Sequence, residues 1–302
     1  MIHKINQQTN LVETKDTVYL SFKALEELDF IYHGFSTKLG GVSEDFMTFN
    51  DETGIRDSLR TSFKGFMNLG FNQEKNPENV LQNFDIISNA IGFTKDSIVL
   101  PNQQHTIAVR KVGTANKGEG IFTEKPTDTV DAQITDEEGV TLLIYGADCP
   151  TVFFADPVKR AIGIAHSGWK GTYHNISGAV IDRMVTEYSC NPADIRAVIG
   201  PHIGQECYEI GEDVAANFKE RMKQEHTLPS DVLIRGKEQG KYYLSMKAVI
   251  IHDLLKAGLQ SDHVTSSDFC TKCNKAILYS NRNEGTSRGS LAGMIGIKVT
   301  GR

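Results

Sequence analysis

Apolar positions along this chain recur with two spacings. In ENVLQNFDIISNAIG, residues 78–92, the side chains Val80, Phe84, Ile87 and Ile91 share one helix face, and Gly92 is placed to cap the C-terminal end. Ile176, Val180, Met184, Val185 and Tyr188 repeat that period before Asn191 and Pro192 stop it. EDVAANFKERMKQ and SMKAVIIHDLLKAG predict two more helices. Shorter runs read as strands: FIYHGFST, SIVLPNQQHT, RAVIG, KAILYSNRN and AGMIGIKV. From Val140, the runs VTLLIY, TVFFAD and AIGIAH, with ADP as a tight turn between the last two, predict a β-meander or hairpin. Adjacent glycines in KLGGVS predict a turn with positive φ and close backbone approach.

Residues 1–28 are weakly patterned. Elsewhere strands and helices mix without strict alternation, and no repeat, low-complexity tract or Pro/Ser linker divides the sequence. The fold class expected is therefore α/β of the mixed α+β kind. It is read as one domain over residues 1–302, with a central mixed sheet flanked by helices.

Composition narrows the partners. With 302 residues, 39% hydrophobic and 23% charged, the chain can bury a large core without disulfides or metal. A formal charge of −6 argues against nonspecific binding to nucleic acid or to an anionic membrane, and favours a small-molecule partner. No apolar run approaches the roughly 20 residues that cross a bilayer, and the first residues lack a signal peptide's apolar core. A cytoplasmic location is expected.

Five cysteines form an odd, scattered set unlike a secreted disulfide framework. Cys149 and His166 each stand beside a predicted strand end, and His105 follows another strand. Two imidazoles and one thiolate, with a fourth position open, suit a catalytic zinc. The same Cys149–His166 pair also suits a thiol nucleophile with a histidine base. Cys270 and Cys273 form a C-x-x-C with no second such pair and read as incidental thiols, while Cys190 and Cys207 have no evident partner. In HSGWKGTYHN, Gly168, Lys170 and Gly171 precede a helix and could hold an anion such as phosphate, or form a plain turn with Trp169 plugging the core. Arg282 and Arg288 lie in a polar, glycine-punctuated loop whose default reading is solvated surface.

The segments HGFSTKLGGVS, GADCPTVFFADP, GIAHSGWKG, IGPHIGQECYEIG and LYSNRNEGTSRG occur in order from about His33 to the C-terminus. Together they closely resemble the YfiH/laccase-domain family, once labelled multicopper polyphenol oxidases and also peptidoglycan-editing factors. The resemblance implies a single-domain mixed α/β fold similar to certain toxin deamidases, with zinc bound by His105, Cys149 and His166 as the catalytic centre. It implies phosphorolysis of adenosine, inosine, guanosine and methylthioadenosine, together with adenosine deamination. Purine nucleosides and phosphate would be the partners, with neither nucleic acid nor membrane, and a monomer is expected. Gly41, Ser43, Asn50, Lys170, Arg282 and Arg288 would bind substrate, and Asp148 or Asp131 could protonate the leaving base. This chain departs from the family pattern at Ser167 and Lys170, where alanine and arginine are usual. It departs also in QQHT, in MTFNDETG, where Asn50 is retained, and in SNRNEGTSRG. Three other readings stay open: a copper-dependent polyphenol oxidase, which would need further histidines, a cysteine-nucleophile hydrolase or deamidase, and a zinc-stabilised binding module without turnover.

Overall fold

A computed structural model describes residues 2–4, 7–44, 63, 65–72 and 74–301. Among these residues, two mixed sheets stack face to face, each covered outside by helix. The first sheet runs in the order β1 (Ile2–Lys4), β2 (Thr9–Glu13), β3 (Thr17–Phe22), β4 (Ile31–Ser43), β16 (Ala292–Ile297), β8 (Thr141–Tyr145), β5 (Ile98–Val99). The second runs β15 (Val264–Ser266), β11 (Arg196–Ile199), β9 (Thr151–Asp156), β10 (Ala161–His166), β7 (Ala132–Thr135), β6 (Val109–Lys111). A small third sheet joins β12 (Glu209–Gly211), β14 (Lys241–Leu244) and β13 (Leu233–Arg235).

Side-chain alternation explains the layers. In β9 and β10, Phe153, Ala155, Ile162 and Ile164 point between the sheets, where Leu142, Ile144 and Ile295 of the first sheet meet them. Val152, Phe154, Ala161 and Ala165 point the other way, onto the helices Ile176–Tyr188 and Met246–Lys256. Covered on both faces, these strands lose the polar alternation of half-exposed ones and read as continuous apolar runs. On the far side, Val80, Phe84 and Ile87 of the helix Pro77–Ile91 pack on Leu143, Ala292 and Met294. That helix starts where the Asn76 side chain accepts from the Glu78 amide at 3.2 Å and stops at Gly92, φ 106°.

The mixed α/β class stands, and the placement of particular segments is corrected in detail. The strands divide between two main sheets instead of one central sheet, and VTLLIY, as β8, joins the first sheet while TVFFAD and AIGIAH pair as a hairpin in the second. KLGGVS is no turn: β4 continues to Ser43, and Gly40 and Gly41, φ 86° and 80°, form an irregular stretch in which a Cβ on Gly40 would sit 2.3 Å from the Asp16 carbonyl oxygen. KAILYSNRN forms turns and then the short helix Asn281–Glu284, since Ile277, Leu278 and Tyr279 enter the core from a loop and not from a strand. The weakly patterned N-terminal stretch contains a strand hairpin, β2–β3, whose periodicity is masked by buried polar residues. Asn10 and Ser21 both donate to the Glu26 carboxylate, and Thr17 Oγ1 to the Leu39 carbonyl at 3.0 Å.

Candidate metal centre and cavity

The second sheet aims its chemistry from one end. His166 closes β10 opposite Thr151, the first residue of β9, and Cys149 stands two residues before Thr151. The loop after β5 brings His105 to the same point. One ligand atom from each of His105, Cys149 and His166 lies within 4.8 Å of the other two, and the two imidazoles meet edge to face with centroids 4.8 Å apart. His166 is buried, Cys149 half-buried and His105 exposed. Gly168 leaves the space in which they meet: a Cβ there would lie 3.0 Å from His105 Cδ2, 3.3 Å from Cys149 Sγ and 3.4 Å from His166 Cε1.

Asp131, in the loop before β7 and fully buried, organises two of the three. Its Oδ1 accepts from His166 Nδ1 at 2.7 Å, which leaves Nε2 to face the centre. Its Oδ2 accepts from the Gln104 amide at 3.1 Å, the Thr106 amide at 2.7 Å and the Thr106 hydroxyl at 3.1 Å. Those donors flank His105, whose backbone is left-handed at φ 60°, a conformation that a non-glycine residue keeps only when its surroundings hold it. Burial opposes ionisation of Asp131, yet the His166 hydrogen bond and the two amides hold its carboxyl down to about 2. Burial likewise disfavours the Cys149 thiolate, but His166 and His105 beside it bring the thiol down to about 6. His166 is driven the opposite way: burial lowers it, while Cys149 and Asp131 raise it to about 9. The mutual attraction of the two groups therefore favours thiolate at Cys149 and imidazolium at His166.

His105, Cys149 and His166 line a cavity of about 560 Å³. Phe71, Tyr145, Trp169 and Tyr208 supply aromatic wall, Asn72, Asn102 and Gln104 supply amides, and Lys125, Arg282 and Arg288 bring positive charge. Arg288 Nη1 donates to the Gly289 carbonyl at 3.1 Å, but its buried Nε has no hydrogen-bond partner among the described residues. Burial pulls Arg288 below the usual guanidinium value, against the opposing charges of Asp148, Cys149 and Glu284. The exposed Arg282 lays its guanidinium over the Tyr208 ring, 5.4 Å from the centroid, and donates to the Glu209 carbonyl. Burial, with the charge of Cys149 next, raises the Tyr208 phenol.

The remaining sequence expectations fall at different distances from the cavity. Lys170 sits inside the helix Trp169–Tyr173, exposed, with its ammonium 5.7 Å from the Trp169 ring centroid, and it does not line the cavity. Gly41 and Ser43 lie one layer behind the wall. Asn83 accepts from the Val42 amide and donates to Ser43 Oγ and the Asn68 carbonyl, while Asn68 Oδ1 receives the amides of the cavity residues Gly70 and Ser290. Asn50 lies outside the described residues. Asp148 does reach the cavity, but its oxygens receive the Thr271 hydroxyl at 2.5 Å and the Arg282 amide at 2.6 Å. Asp131 is buried and does not line the cavity, so it does not reach a leaving group there; its contacts are to His166 and to the amides beside His105. Sequence reasoning missed Lys125 and Tyr208, which carry no local pattern, and the role of Gly168, whose one signal was its place next to a candidate ligand.

Fold and site together define a mixed α/β protein with a two-histidine, one-cysteine cluster on the wall of a cationic, aromatic cavity. The chain belongs to the multi-copper polyphenol oxidoreductase laccase family, whose model matches residues 32–298. It is 30% identical over 271 residues, 88% of each chain, to a Bacillus subtilis protein named purine nucleoside phosphorylase YlmD. It is 27% identical over 200 residues, 66% of this chain and 74% of the relative, to adenosine deaminase RL5 from an unknown prokaryotic organism. The crystal structure of YlmD from Geobacillus stearothermophilus superposes with a TM-score of 0.80 at 27% identity, covering 95% of this chain and 98% of that one.

Proposed function

We propose that this protein is a zinc-dependent purine nucleoside enzyme. It cleaves adenosine, inosine, guanosine and methylthioadenosine by phosphorolysis, and deaminates adenosine. The observation that carries this reading is the meeting, in one cavity, of the His105–Cys149–His166 cluster with the cationic residues Lys125, Arg282 and Arg288. The relatives' names supply the reaction class.

Two imidazoles and a thiolate fit zinc, and Asp131 on His166 Nδ1 is the outer partner that metal-binding histidines commonly have. When bound, zinc supplies Lewis-acid polarisation and stabilises developing negative charge. Copper-dependent phenol oxidation would need further imidazole clusters. Among the described residues, the other groups of three adjacent ligand-type side chains, Cys207–Cys270–Cys273 and Glu225–His252–Asp253, hold one histidine between them.

Phosphorolysis forms a bond from phosphate oxygen to C1′ and breaks the C1′–N9 bond, giving ribose 1-phosphate, or its 5-methylthio analogue from methylthioadenosine, and a purine that takes up a proton. Arg288, Lys125 and Arg282 offset the phosphate charge and hold it against the sugar. Phe71, Trp169 and Tyr208 offer faces for the purine, and Asn72, Asn102 and Gln104 offer donors and acceptors for its edges. Tyr208, kept neutral, holds a proton at Oη. In deamination, water adds at C6 and ammonia leaves, so that reaction draws on the metal-ligand side of the cavity and not on its phosphate-holding cations.

Chromatography of adenosine and inosine incubated with and without phosphate tests the reading. Hypoxanthine and ribose 1-phosphate from inosine are expected only with phosphate, and inosine from adenosine in either case. Metal-independent turnover blocked by thiol alkylation would instead support the Cys149–His166 pair as a nucleophile and its base.

A further inference from the structure

A second sulfur cluster lies outside the described cavity. Cys207 ends the short turn Gln205–Cys207, and the C-x-x-C pair Cys270 and Cys273 follows β15. The three Sγ atoms lie within 4.8 Å of one another, and Cys207 Sγ is 3.4 Å from Cys273 Sγ, 66 residues away in sequence. A disulfide needs about 2.05 Å, so this is not one. Four ligands placed tetrahedrally at about 2.3 Å from zinc are roughly 3.8 Å apart, a spacing the cluster already brackets. The Gly204 amide points at Cys270 Sγ at 3.2 Å, and the Asn274 amide and side chain both donate to the Cys270 carbonyl, at 3.0 and 2.8 Å. The first cysteine of the pair thus sits in a closed turn with an N–H donor to its sulfur, which favours thiolate. Cys207 and Cys270 are half-buried and Cys273 exposed, so an ion can enter from solvent.

We propose that Cys207, Cys270 and Cys273 form a second metal site, separate from the His105–Cys149–His166 centre, that takes a thiophilic d10 ion of the zinc class. All-sulfur donors select such ions over magnesium, calcium or manganese. Binding forms metal–sulfur bonds and releases the thiol protons, with no change of oxidation state. The ion clasps the 205–207 turn to the 270–273 turn. Both lead directly into the cavity: Tyr208 follows Cys207, and Thr271 donates to Asp148, which in turn receives the Arg282 amide. The second site therefore fixes the wall that carries Tyr208 and Arg282.

The test is metal content of the full chain, loaded with Zn2+ under reducing conditions and dialysed, for the wild type, Cys149→Ala, Cys273→Ser and the double variant. About two equivalents are expected for the wild type, one for each single variant and none for the double. Cys273 is exposed, so serine there leaves the core intact; a Cys207→Ser variant is expected to lose the same equivalent. In Cys149→Ala, chelation is still expected to lower the melting temperature, and in the double variant it is not. One wild-type equivalent, lost entirely in Cys149→Ala, would overturn the second site, as would a Cys207–Cys273 disulfide found by mass spectrometry in protein kept reduced. Two equivalents that persist in Cys149→Ala would count against the cavity centre and not against this one.

Discussion

His166 Nδ1–H donates to Asp131 Oδ1 at 2.7 Å, while the other oxygen of the same carboxylate receives the amides on either side of His105. One buried acid therefore sets the orientation of two candidate metal ligands that come from different parts of the chain. In Asp131→Asn the carbonyl oxygen can still accept on only one side of this arrangement, and the NH2 on the other side faces donors. Zinc affinity is expected to fall about 10- to 100-fold, with kcat falling alongside and circular dichroism unchanged. Competition with a chromophoric chelator measures it, and unchanged affinity would remove Asp131 from the centre.

Metal binding should release protons in a pH-dependent count. With Cys149 held down to about 6 and His166 raised to about 9, the metal-free centre between these values has lost the thiol proton but kept the imidazolium one. Zinc must displace that second proton, so affinity is expected to rise about tenfold per pH unit from 6 to 9 and more steeply below 6. Calorimetry in buffers of different ionisation enthalpy, using Cys273→Ser to isolate this centre, reads the count. A pH-independent affinity across the window would contradict the pairing.

Gly168 is required for room, since its φ of −60° is open to any residue. A methyl at 168 lies at 3.0 to 3.4 Å from all three ligands and must push them by a few tenths of an ångström. Gly168→Ala is expected to weaken zinc about tenfold or more with little change in melting temperature of the metal-free protein, because the crowding is confined to the metal position. Metal content after dialysis, set beside a thermal melt, checks both halves.

The cations that line the cavity should divide from Lys170, which does not. Arg288→Gln and Lys125→Gln are expected to raise KM for phosphate about tenfold or more and to leave phosphate-free adenosine deamination within about twofold. Lys170→Gln, exposed and outside the cavity lining, should change neither. Equal loss of both reactions in Arg288→Gln would mean that this residue holds the nucleoside and not the phosphate.

Two histidines outside the His105–Cys149–His166 cluster should set the acid limit of the fold. Burial holds His33 and His202 down to about 4, with His33 Nε2 accepting the Phe22 amide at 2.9 Å and His202 Nδ1–H donating to the Gly200 carbonyl at 2.8 Å. Their folded values lie below the unfolded 6.5, so the unfolded chain binds more protons between these limits. Their contribution is complete above 6.5 and is lost as pH falls toward 4, by about 1.4 kcal/mol per pH unit for each. Urea midpoints at pH 7 and pH 5 measure the loss.

Much of this was legible in the residues. The helices Pro77–Ile91, Ile176–Tyr188, Glu212–Gln224 and Met246–Lys256 follow their apolar periods, and the β9–β10 hairpin follows its two runs and tight turn. Which sheet a buried strand joins was not legible, because β8 and β9 are apolar on both faces and their sequences do not distinguish the neighbours. KAILYSNRN misled for a related reason, since Ile277 and Leu278 are buried without a strand around them. At the site, Cys149 and His166 were visible as chemistry at strand ends. Their convergence with His105, the reach of Asp131 to both histidines, and the meeting of Cys207 with Cys273 depend on contacts distant in sequence, which spacing does not encode.

The most direct measurement is product formation by the wild type and by folded, zinc-depleted Cys149→Ala, each given inosine with phosphate. The wild type is expected to release hypoxanthine and ribose 1-phosphate in equal amounts, and the variant to release less than about a hundredth as much. Hypoxanthine release by the variant at the wild-type rate would contradict a metal centre at His105, Cys149 and His166 as the seat of the reaction.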